Sequence, residues 1–171
     1  KIDLYDEKVI GRPQTPGIIY GINAAASWKG FDLSMLFQGA GMSSFNIYGF
    51  MTVAHFNNNS NSSYEYYNNR WTPDHQNAKY PRAYSAPTNN NGQTSDFWLI
   101  NSTYLRLKTA SLGYTVPSKV SSKVRMKNFR IYVTGQNILT FAKLKFTDPE
   151  TTGEQGYPIQ KTFLVGFTTS F

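Results

Sequence analysis

Apolar and polar residues alternate along several long stretches of this chain. Between Gly17 and Lys29 the even positions are mostly large and apolar, whereas the odd positions are small or polar. A second alternating stretch, FDLSMLFQG, begins at Phe31, directly after Lys29 and Gly30. Because successive side chains of a strand point to opposite faces, and because glycine suits a tight turn, the pattern predicts a β-hairpin.

Three later stretches have the same character. The first runs from about Trp98 to Val116, and its leucines occupy odd positions up to Leu107 and even positions afterwards. A β-bulge near Thr109 would return all of them to one face. The other two are NFRIYVTGQNILTFAKL, which begins at Asn128, and TFLVGFTTSF, which begins at Thr162. The chain is therefore predicted to contain five strands.

The connections alternate between short and long. The Lys29-Gly30 turn and the basic connector 117–128 are short, whereas 41–97 and 143–161 are long, and EYYNNRW within 41–97 predicts a short helical turn. Aromatic residues stand at several strand ends, and the predicted strands exceed the usual soluble length of about 5–6 residues. These features are typical of outer-membrane β-barrels. The predicted fold class is all-β, with antiparallel transmembrane β-barrel strands and long extracellular loops.

Composition and charge narrow the function classes. Aromatic and charged residues each make up 16% of the chain, against roughly 25% charged residues in average soluble domains. The absence of cysteine excludes disulfides and thiolate metal sites. Nine bases lie between Arg106 and Lys145 without a carboxylate. They form either a patch for nucleic acid or anionic lipid, or a solvated hairpin or lumen lining, and the second interpretation is favoured because no nucleic-acid motif accompanies them.

Five stretches, in order, resemble the C-terminal part of the barrel of SusC/RagA-type TonB-dependent outer-membrane transporters. They are TPGIIYGINAAASWKGFDLSMLFQGAG, NRWTPDHQNAKYPRAY, FWLINSTYLRLKTASLGYTVP, FRIYVTGQNILTFAKLKFTDPE and GYPIQKTFLVGFTTSF. The resemblance implies that residues 1–171 are the last strands of a barrel with 22 strands, without the plug domain that would lie upstream. It also implies location in the bacterial outer membrane.

The resemblance further implies the activity and the partners. Family members import oligosaccharides or peptides beneath a SusD-like surface lipoprotein, with energy from TonB acting through the plug. The expected partners are the remaining barrel strands, the plug, the SusD-like lipoprotein, TonB and outer-membrane lipid, with no nucleic acid. No cofactor and no metal are expected, and the chain is not expected to be an enzyme.

The same resemblance orients the strands. The Lys29-Gly30 turn and the 117–128 connector are expected in the periplasm, and the loops 41–97 and 143–161 outside the cell. The apolar faces would meet lipid and the polar faces the lumen. The lumen-facing candidates are Asn23, Asp32, Gln38, Arg130 and Gln136. Phe171 is expected to be the terminal aromatic residue recognised by the outer-membrane assembly machinery.

Aromatic residues of the long loop are the candidates for contact with substrate or lid. They are Tyr64, Tyr66, Tyr67 and Trp71. Because Trp71 belongs to a stretch that matches the family, it is expected to anchor the loop to the barrel more than to contact substrate.

Two other hypotheses have weaker support. His55 and His75 lie in predicted loops without metal-ligand spacing, and Asp148, Glu150 and Glu154 lack the apolar wall that would raise a carboxyl pKa for glycoside hydrolysis. A structural turn is the better interpretation of that acidic segment.

The alternative fold is a soluble β-sandwich that acts as a carbohydrate-binding module. This fold would explain the alternation and the tyrosines but not the strand lengths.

Overall fold

One antiparallel sheet dominates the structure, a computed structural model that describes residues 5, 7–49, 61–84, 91–145, 147–151, 157 and 159–170. Its five strands are β1 Ile18–Trp28, β2 Phe31–Gly41, β5 Tyr104–Val116, β6 Asn128–Ala142 and β7 Thr162–Ser170. They lie side by side in the order β1-β2-β5-β6-β7. A second, two-stranded sheet pairs β3, Ser44–Asn46, with β4, Leu99–Asn101. In the described part of the chain, no helix is long and apolar enough to cross a membrane.

The first two strands form the predicted hairpin. Trp28 pairs with Phe31 across the turn, and Ile18 pairs with Gly41 at the far end. Lys29 and Gly30 both have positive φ, 47° and 90°, as a two-residue turn with the twist of the flanking strands requires. The sequence prediction of a hairpin with a Lys29-Gly30 turn is confirmed.

The predicted bulge is also present. Leu36 of β2 pairs with Thr109 and Phe37 pairs with Leu107, so Lys108 has no partner on β2. On its other side β5 meets β6, where Asn137 has a φ of 53° at the matching irregularity. The extra residue returns the leucines on either side of Lys108 to one face of the sheet.

The predicted strand from Trp98 to Val116 is wrong in its extent. Trp98 ends a short 3₁₀ helix, Asp96–Trp98, and the chain leaves extended pairing between β4 and β5. Ser102 causes this break through tertiary contacts: its N–H donates to the Ser43 carbonyl at 3.2 Å and its hydroxyl to Ser43 Oγ at 2.9 Å. The three residues of β4 therefore pair with β3 and not with the main sheet.

Helical turns occur in two connections. The predicted turn in EYYNNRW is confirmed as α1, Tyr64–Asn69. The basic connector after β5, predicted without helix, contains α2, Ser118–Ser121, which continues as a 3₁₀ turn, Ser122–Val124. Arg125 then adopts a left-handed φ of 58° and ends the turn before β6.

The main sheet has two chemically different faces. One is apolar and open to the surroundings, with Val165 81% and Phe167 68% exposed. Its other exposed members include Ile22, Trp28, Phe31, Leu33, Leu112, Ile131, Val133, Leu139, Phe141 and Phe163. Soluble monomers rarely leave so large a contiguous apolar surface in water. The opposite face carries mostly polar and small residues.

Gly39 allows β1 and β2 to pack closely at the end of the hairpin away from the Lys29-Gly30 turn. The Tyr20 ring lies across it, and Tyr20 Oη donates to the Tyr104 carbonyl at 2.8 Å. A Cβ on Gly39 would come within 2.4 Å of that carbonyl oxygen and 2.5 Å of the Tyr20 ring. The position therefore has no space for a side chain.

We expect Gly39→Ala to destabilise the full-length folded protein by about 1–3 kcal/mol, because the methyl group overpacks a backbone contact. Urea unfolding in detergent micelles would measure the change in the free energy of unfolding. Gly21→Ala is the matched control, since a Cβ there would meet its nearest atom, the Phe37 carbonyl oxygen, at 3.7 Å. Equal stability of the two variants would contradict the prediction.

Candidate functional site

The predicted lumen-facing residues share one face of the main sheet. Asn23 pairs with Leu36, Leu36 with Thr109, and Thr109 with Gln136, so these positions form one row across four strands. The structure places Asn23, Asp32, Gln38, Arg130 and Gln136 together on the polar face. That this face lines a lumen stays a prediction.

Two of these residues are bonded to each other near the Lys29-Gly30 turn. Arg130 Nε donates to Asp32 Oδ1 at 2.9 Å, although the two residues are 98 positions apart in sequence. The guanidinium group lies over Gly113, where a Cβ would be 2.3 Å from it, and its Cζ is 5.0 Å from the centre of the Tyr132 ring. The glycine between β2 and β6 therefore makes room for an ion pair that spans three strands.

The strongest polar cluster lies at the other end of the sheet and was not predicted from the sequence. Arg106 on β5 is only 1% exposed. Its Nη2 donates to both carboxylate oxygens of Asp148 at 2.7 Å, and its Nη1 lies 3.1 Å from Glu150. Lys108, at the bulge, contacts Glu150 at 2.6 Å. The two bases thus hold the segment Asp148-Pro149-Glu150 against the sheet, with equal numbers of positive and negative charges.

This cluster was not predicted because only its acidic segment, and not Arg106, stood out in the sequence. The acidic segment was expected to be a structural turn, and the structure agrees: the Glu150 N–H donates to Asp148 Oδ1 at 2.9 Å. Arg106, however, is one of nine bases in a run. Its position on the polar parity was the only available indication that it faces the same side as Gln38, with which it pairs.

An open cavity of about 530 Å³ lies beside this segment, over the polar face. Its walls come from the residues before β1, from β1, β2 and β5, and from the acidic segment. The polar lining includes Gln14, Gln38, Ser43, Ser102 and Glu150. Ligand pockets in proteins typically measure about 300–1,000 Å³, so the cavity is large enough for a short segment of a chain-like ligand.

The long loop has a small, mainly aromatic core of its own. The buried members are Phe45, Ile47, Tyr66, Tyr80, Trp98 and Leu144. The Tyr80 and Trp98 rings are nearly parallel with centroids 6.2 Å apart, and Tyr66 meets Tyr80 at 5.8 Å. Because Leu144 follows β6, this core joins the described parts of the two long loops into one packed unit, which we call the loop platform.

Hydrogen bonds tie α1 to the loop platform. Ser63 caps the helix by accepting from the Tyr66 N–H at 3.2 Å, and Tyr66 Oη donates to the Pro81 carbonyl at 2.9 Å. Glu65 accepts from Lys79 at 2.8 Å and from Tyr80 Oη at 3.1 Å. The hydrogen bond from Lys79 lowers the pKa of Glu65, and burial raises the pKa of Tyr80.

The four aromatic candidates of the loop lie in different surroundings. Tyr64 and Tyr67 are 86% and 59% exposed on the outer side of α1, and the Arg70 guanidinium lies 4.2 Å from the centre of the Tyr67 ring. Tyr66 is 1% exposed and packs inside the loop platform. Trp71 is half-buried, and its backbone N–H donates to the Tyr80 carbonyl at 2.9 Å. Of these four candidates, Tyr64 and Tyr67 are the two with exposed rings.

The remaining candidates are the two histidines, the acidic segment and the terminal phenylalanine. His75 is exposed in a tight turn with Thr72, whereas His55, Glu154 and Phe171 lie outside the described residues. Among the described residues, no group of three or more His, Cys, Asp and Glu side chains could hold a metal ion. Asp148 and Glu150 are engaged by Arg106 and Lys108.

Two receptors are similar to this chain along its length. TonB-dependent receptor P3 of Formosa agariphila is 28% identical over 186 residues, covering 100% of this chain and 18% of the receptor. TonB-dependent receptor P26 of the same organism is 28% identical over 181 residues, covering 97% of this chain and 18% of the receptor. No protein-family model matches the chain.

Solved structures give the same result in three dimensions. The structure of the RagAB peptide transporter superimposes with a TM-score of 0.73 at 27% identity, covering 100% of this chain and 19% of that one. The RagAB peptide importer in its closed-closed state gives a TM-score of 0.70 at 26% identity with the same coverage. The predicted resemblance to SusC/RagA-type TonB-dependent receptors is confirmed. The chain spans about 18% of the length of the curated relatives it matches.

Proposed function

We propose that the chain forms part of the wall of an outer-membrane TonB-dependent transporter that imports peptides or oligosaccharides. The observation that carries the proposal is the two-faced main sheet, with an exposed apolar face on one side and a polar face on the other. Similarity to TonB-dependent receptors over the whole chain supports the same conclusion.

The two faces of the main sheet suit different surroundings. Burial of apolar surface is worth roughly 25 cal/mol per Å², so a continuous apolar face gains most in hydrocarbon. Strands cross a membrane only when every backbone group is paired, which requires a closed barrel. Within the described residues β1 pairs only with β2, and β7 only with β6. We therefore propose that the two edge strands, β1 and β7, pair with further strands of a larger barrel. The resemblance implies that this barrel has 22 strands.

In this mechanism the chain makes and breaks no covalent bond. The polar face lines the transport path, and the long loops stand at the extracellular mouth. A plug domain, outside this sequence, fills the barrel and is displaced by TonB. The relatives are named as receptors or transporters, which is compatible with a protein that is not an enzyme.

The proposed extracellular partner is a SusD-like lipoprotein that closes over the barrel as a lid. The structural relatives support this arrangement. Two of them are structures of the RagAB peptide importer, one in an open-open and one in a closed-closed state. The loop platform gives such a partner a firm surface. Tyr64 and Tyr67 are its exposed aromatic residues on α1, whereas Trp71 acts as an anchor of the loop.

Membrane extraction tests the proposal. In fractionated cells, the full-length protein is expected in the outer membrane, to resist washing with high salt or alkaline carbonate and to require detergent for release. It should also migrate differently on gels before and after boiling, as folded barrels do. Release by salt or carbonate alone would overturn the proposal and favour the alternative, a soluble carbohydrate-binding module, which the similarity to TonB-dependent receptors does not favour.

A further inference from the structure

Basic residues collect at the end of the main sheet that carries the Lys29-Gly30 turn. The 117–128 connector lies at the same end, because the Thr115 N–H of β5 donates to the Gly30 carbonyl at 2.8 Å. The end of β7 is held beside the connector by the Lys127 N–H, which donates to the Ser170 carbonyl at 2.8 Å. Five exposed bases lie along this end, which we call the basic rim: Lys29, Lys119, Lys123, Arg125 and Lys127.

The charges of the basic rim are not compensated within the described part of the chain. None of its five bases forms an ion pair with a carboxylate of the described residues. The sequence has no carboxylate between Asp96 and Asp148, and Asp32, two residues after the turn, is bonded to Arg130. At the opposite end of the sheet, by contrast, the acidic segment pairs with the bases that hold it. The basic rim therefore suits an anionic partner.

Exposed apolar side chains adjoin these charges. Trp28, on the apolar face, is 69% exposed, and the Lys29 ammonium group lies 4.8 Å from the centre of its ring. Phe31 opens β2 beside it at 48% exposure, and Val120 of α2 adds an apolar side chain that is 56% exposed within the connector. Aromatic residues beside bases with long apolar stems are typical of the boundary between hydrocarbon and lipid headgroups. The basic rim therefore continues the proposed lipid-facing surface into the headgroup layer.

The same combination favours phospholipid over nucleic acid. A nucleic-acid backbone would offer phosphates to the bases, but it would leave the exposed side chains of Trp28 and Val120 in water, which is unfavourable. A phospholipid covers both kinds of surface, because its phosphate meets the bases and its acyl chains meet the apolar side chains. Both Lys and Arg donate charge-assisted hydrogen bonds to phosphate oxygens.

Given membrane insertion as part of the proposed function, on which this inference rests, we propose that the basic rim binds the headgroups of anionic phospholipids in the leaflet next to the Lys29-Gly30 turn. Neighbouring strands lie about 4.8 Å apart, so the turn after β1 and the connector before β6 are roughly 15 Å apart along the rim. Clusters of about four to eight Lys and Arg beside a membrane segment attract anionic lipid. A zwitterionic headgroup carries the same phosphate without net charge and should bind more weakly.

Local fluorescence quenching tests this site. Val120→Cys in the purified full-length protein is labelled with bimane, and the protein is reconstituted into phosphatidylcholine vesicles doped with brominated phosphatidylglycerol or brominated phosphatidylcholine. This chain contains no cysteine, and the labelled parent gives the background from any cysteine outside this sequence. Phosphatidylglycerol is expected to bind beside the label about five- to tenfold more tightly than phosphatidylcholine at low salt. The preference should fall in about 1 M salt, where the Debye length is about 3 Å.

Two sets of substitutions in the labelled protein locate the effect. The rim variant combines Lys119→Gln, Lys123→Gln, Arg125→Gln and Lys127→Gln, and its preference should drop below about twofold. The matched control removes the same number of exposed bases elsewhere and should keep the preference; it combines Arg12→Gln, Arg82→Gln, Lys143→Gln and Lys145→Gln. The heat-modifiable band reports whether each variant folds. If the rim variant does not fold, the double change Lys119→Gln and Lys123→Gln replaces it and should lower the preference in part.

Four results would overturn the site. They are equal quenching by the two brominated lipids, no quenching by either, a preference that survives in the rim variant, and an equal loss of preference in the matched control. Binding of a fluorescent DNA duplex that is lost in the rim variant, without any lipid preference, would assign the basic rim to nucleic acid instead. Membrane insertion is measured separately by the carbonate wash. A protein that resists carbonate but shows no lipid preference keeps its proposed function and loses only this site.

Discussion

Replacement of Arg106 by methionine is expected to have the largest effect of any single change in this chain. Methionine fills a similar space but removes the cation that holds Asp148 and Glu150. Two carboxylates would then share Lys108 alone in a partly buried site. Removing one partner of a buried ion pair costs about 3–5 kcal/mol, because it leaves the other charge uncompensated. We expect the full-length protein to reach the outer membrane in much smaller amounts, measured by the heat-modifiable folded band.

Two further variants separate this mechanism from a general effect of losing an arginine. Arg82→Met removes an exposed arginine of the loop and should leave the folded band unchanged, since surface changes are usually within about 0.5 kcal/mol. The triple change Arg106→Met, Asp148→Asn and Glu150→Gln removes the stranded charges and should recover part of the loss. If Arg106→Met folds as well as Arg82→Met, the cluster is not the structural clamp inferred from its burial.

Val133→Arg is expected to have the second largest effect, because it places a charge in the middle of the apolar face. Val133 pairs with Leu112 and Val165 on neighbouring strands, so no acidic residue is beside it in the sheet. Arginine on the lipid face of a barrel costs about 2–4 kcal/mol near the bilayer midplane. Urea unfolding of the full-length protein in lipid vesicles would measure the loss.

Gln136→Arg provides the control on the same strand. Gln136 lies on the polar face, in a row with Thr109 and Thr162, and is exposed. Its replacement should therefore change the free energy of unfolding by less than about 1 kcal/mol. A soluble module would give a different pattern, because Val133, at 41% exposure, would face water and tolerate arginine as Gln136 does. Equal effects of the two changes would thus argue against a lipid-facing surface.

The sequence predicted the elements that depend on neighbouring residues. The turn at Lys29-Gly30 and the bulge at Lys108 were both indicated by local patterns, namely a glycine between alternating stretches and a change of parity among leucines. The interruption after β4 was missed because Ser102 is bonded to Ser43, 59 positions away. A strand propensity that continues through residues 99–116 carries no trace of that distant contact.

The candidate residues show the same division. The strand parity placed Asp32 and Arg130 on one face, yet their ion pair needs two intervening strand contacts to bring them together. The tyrosines of α1 were indistinguishable in sequence, and the structure separates buried Tyr66 from exposed Tyr64 and Tyr67. The reason is helical geometry: positions one apart point in different directions, and only the packing of the loop platform decides which side is covered.

The sequence by itself determined which side of each strand is apolar, and with it the resemblance to an outer-membrane transporter. This information is local, because alternation follows from the backbone of a single strand. The tertiary structure decided which charges meet. Among nine bases in one run, Arg106 is the one buried beneath Asp148 and Glu150, because strand register and the loop platform fix its distance from that segment. Coulomb attraction and desolvation depend on such distances, which no order of residues specifies on its own.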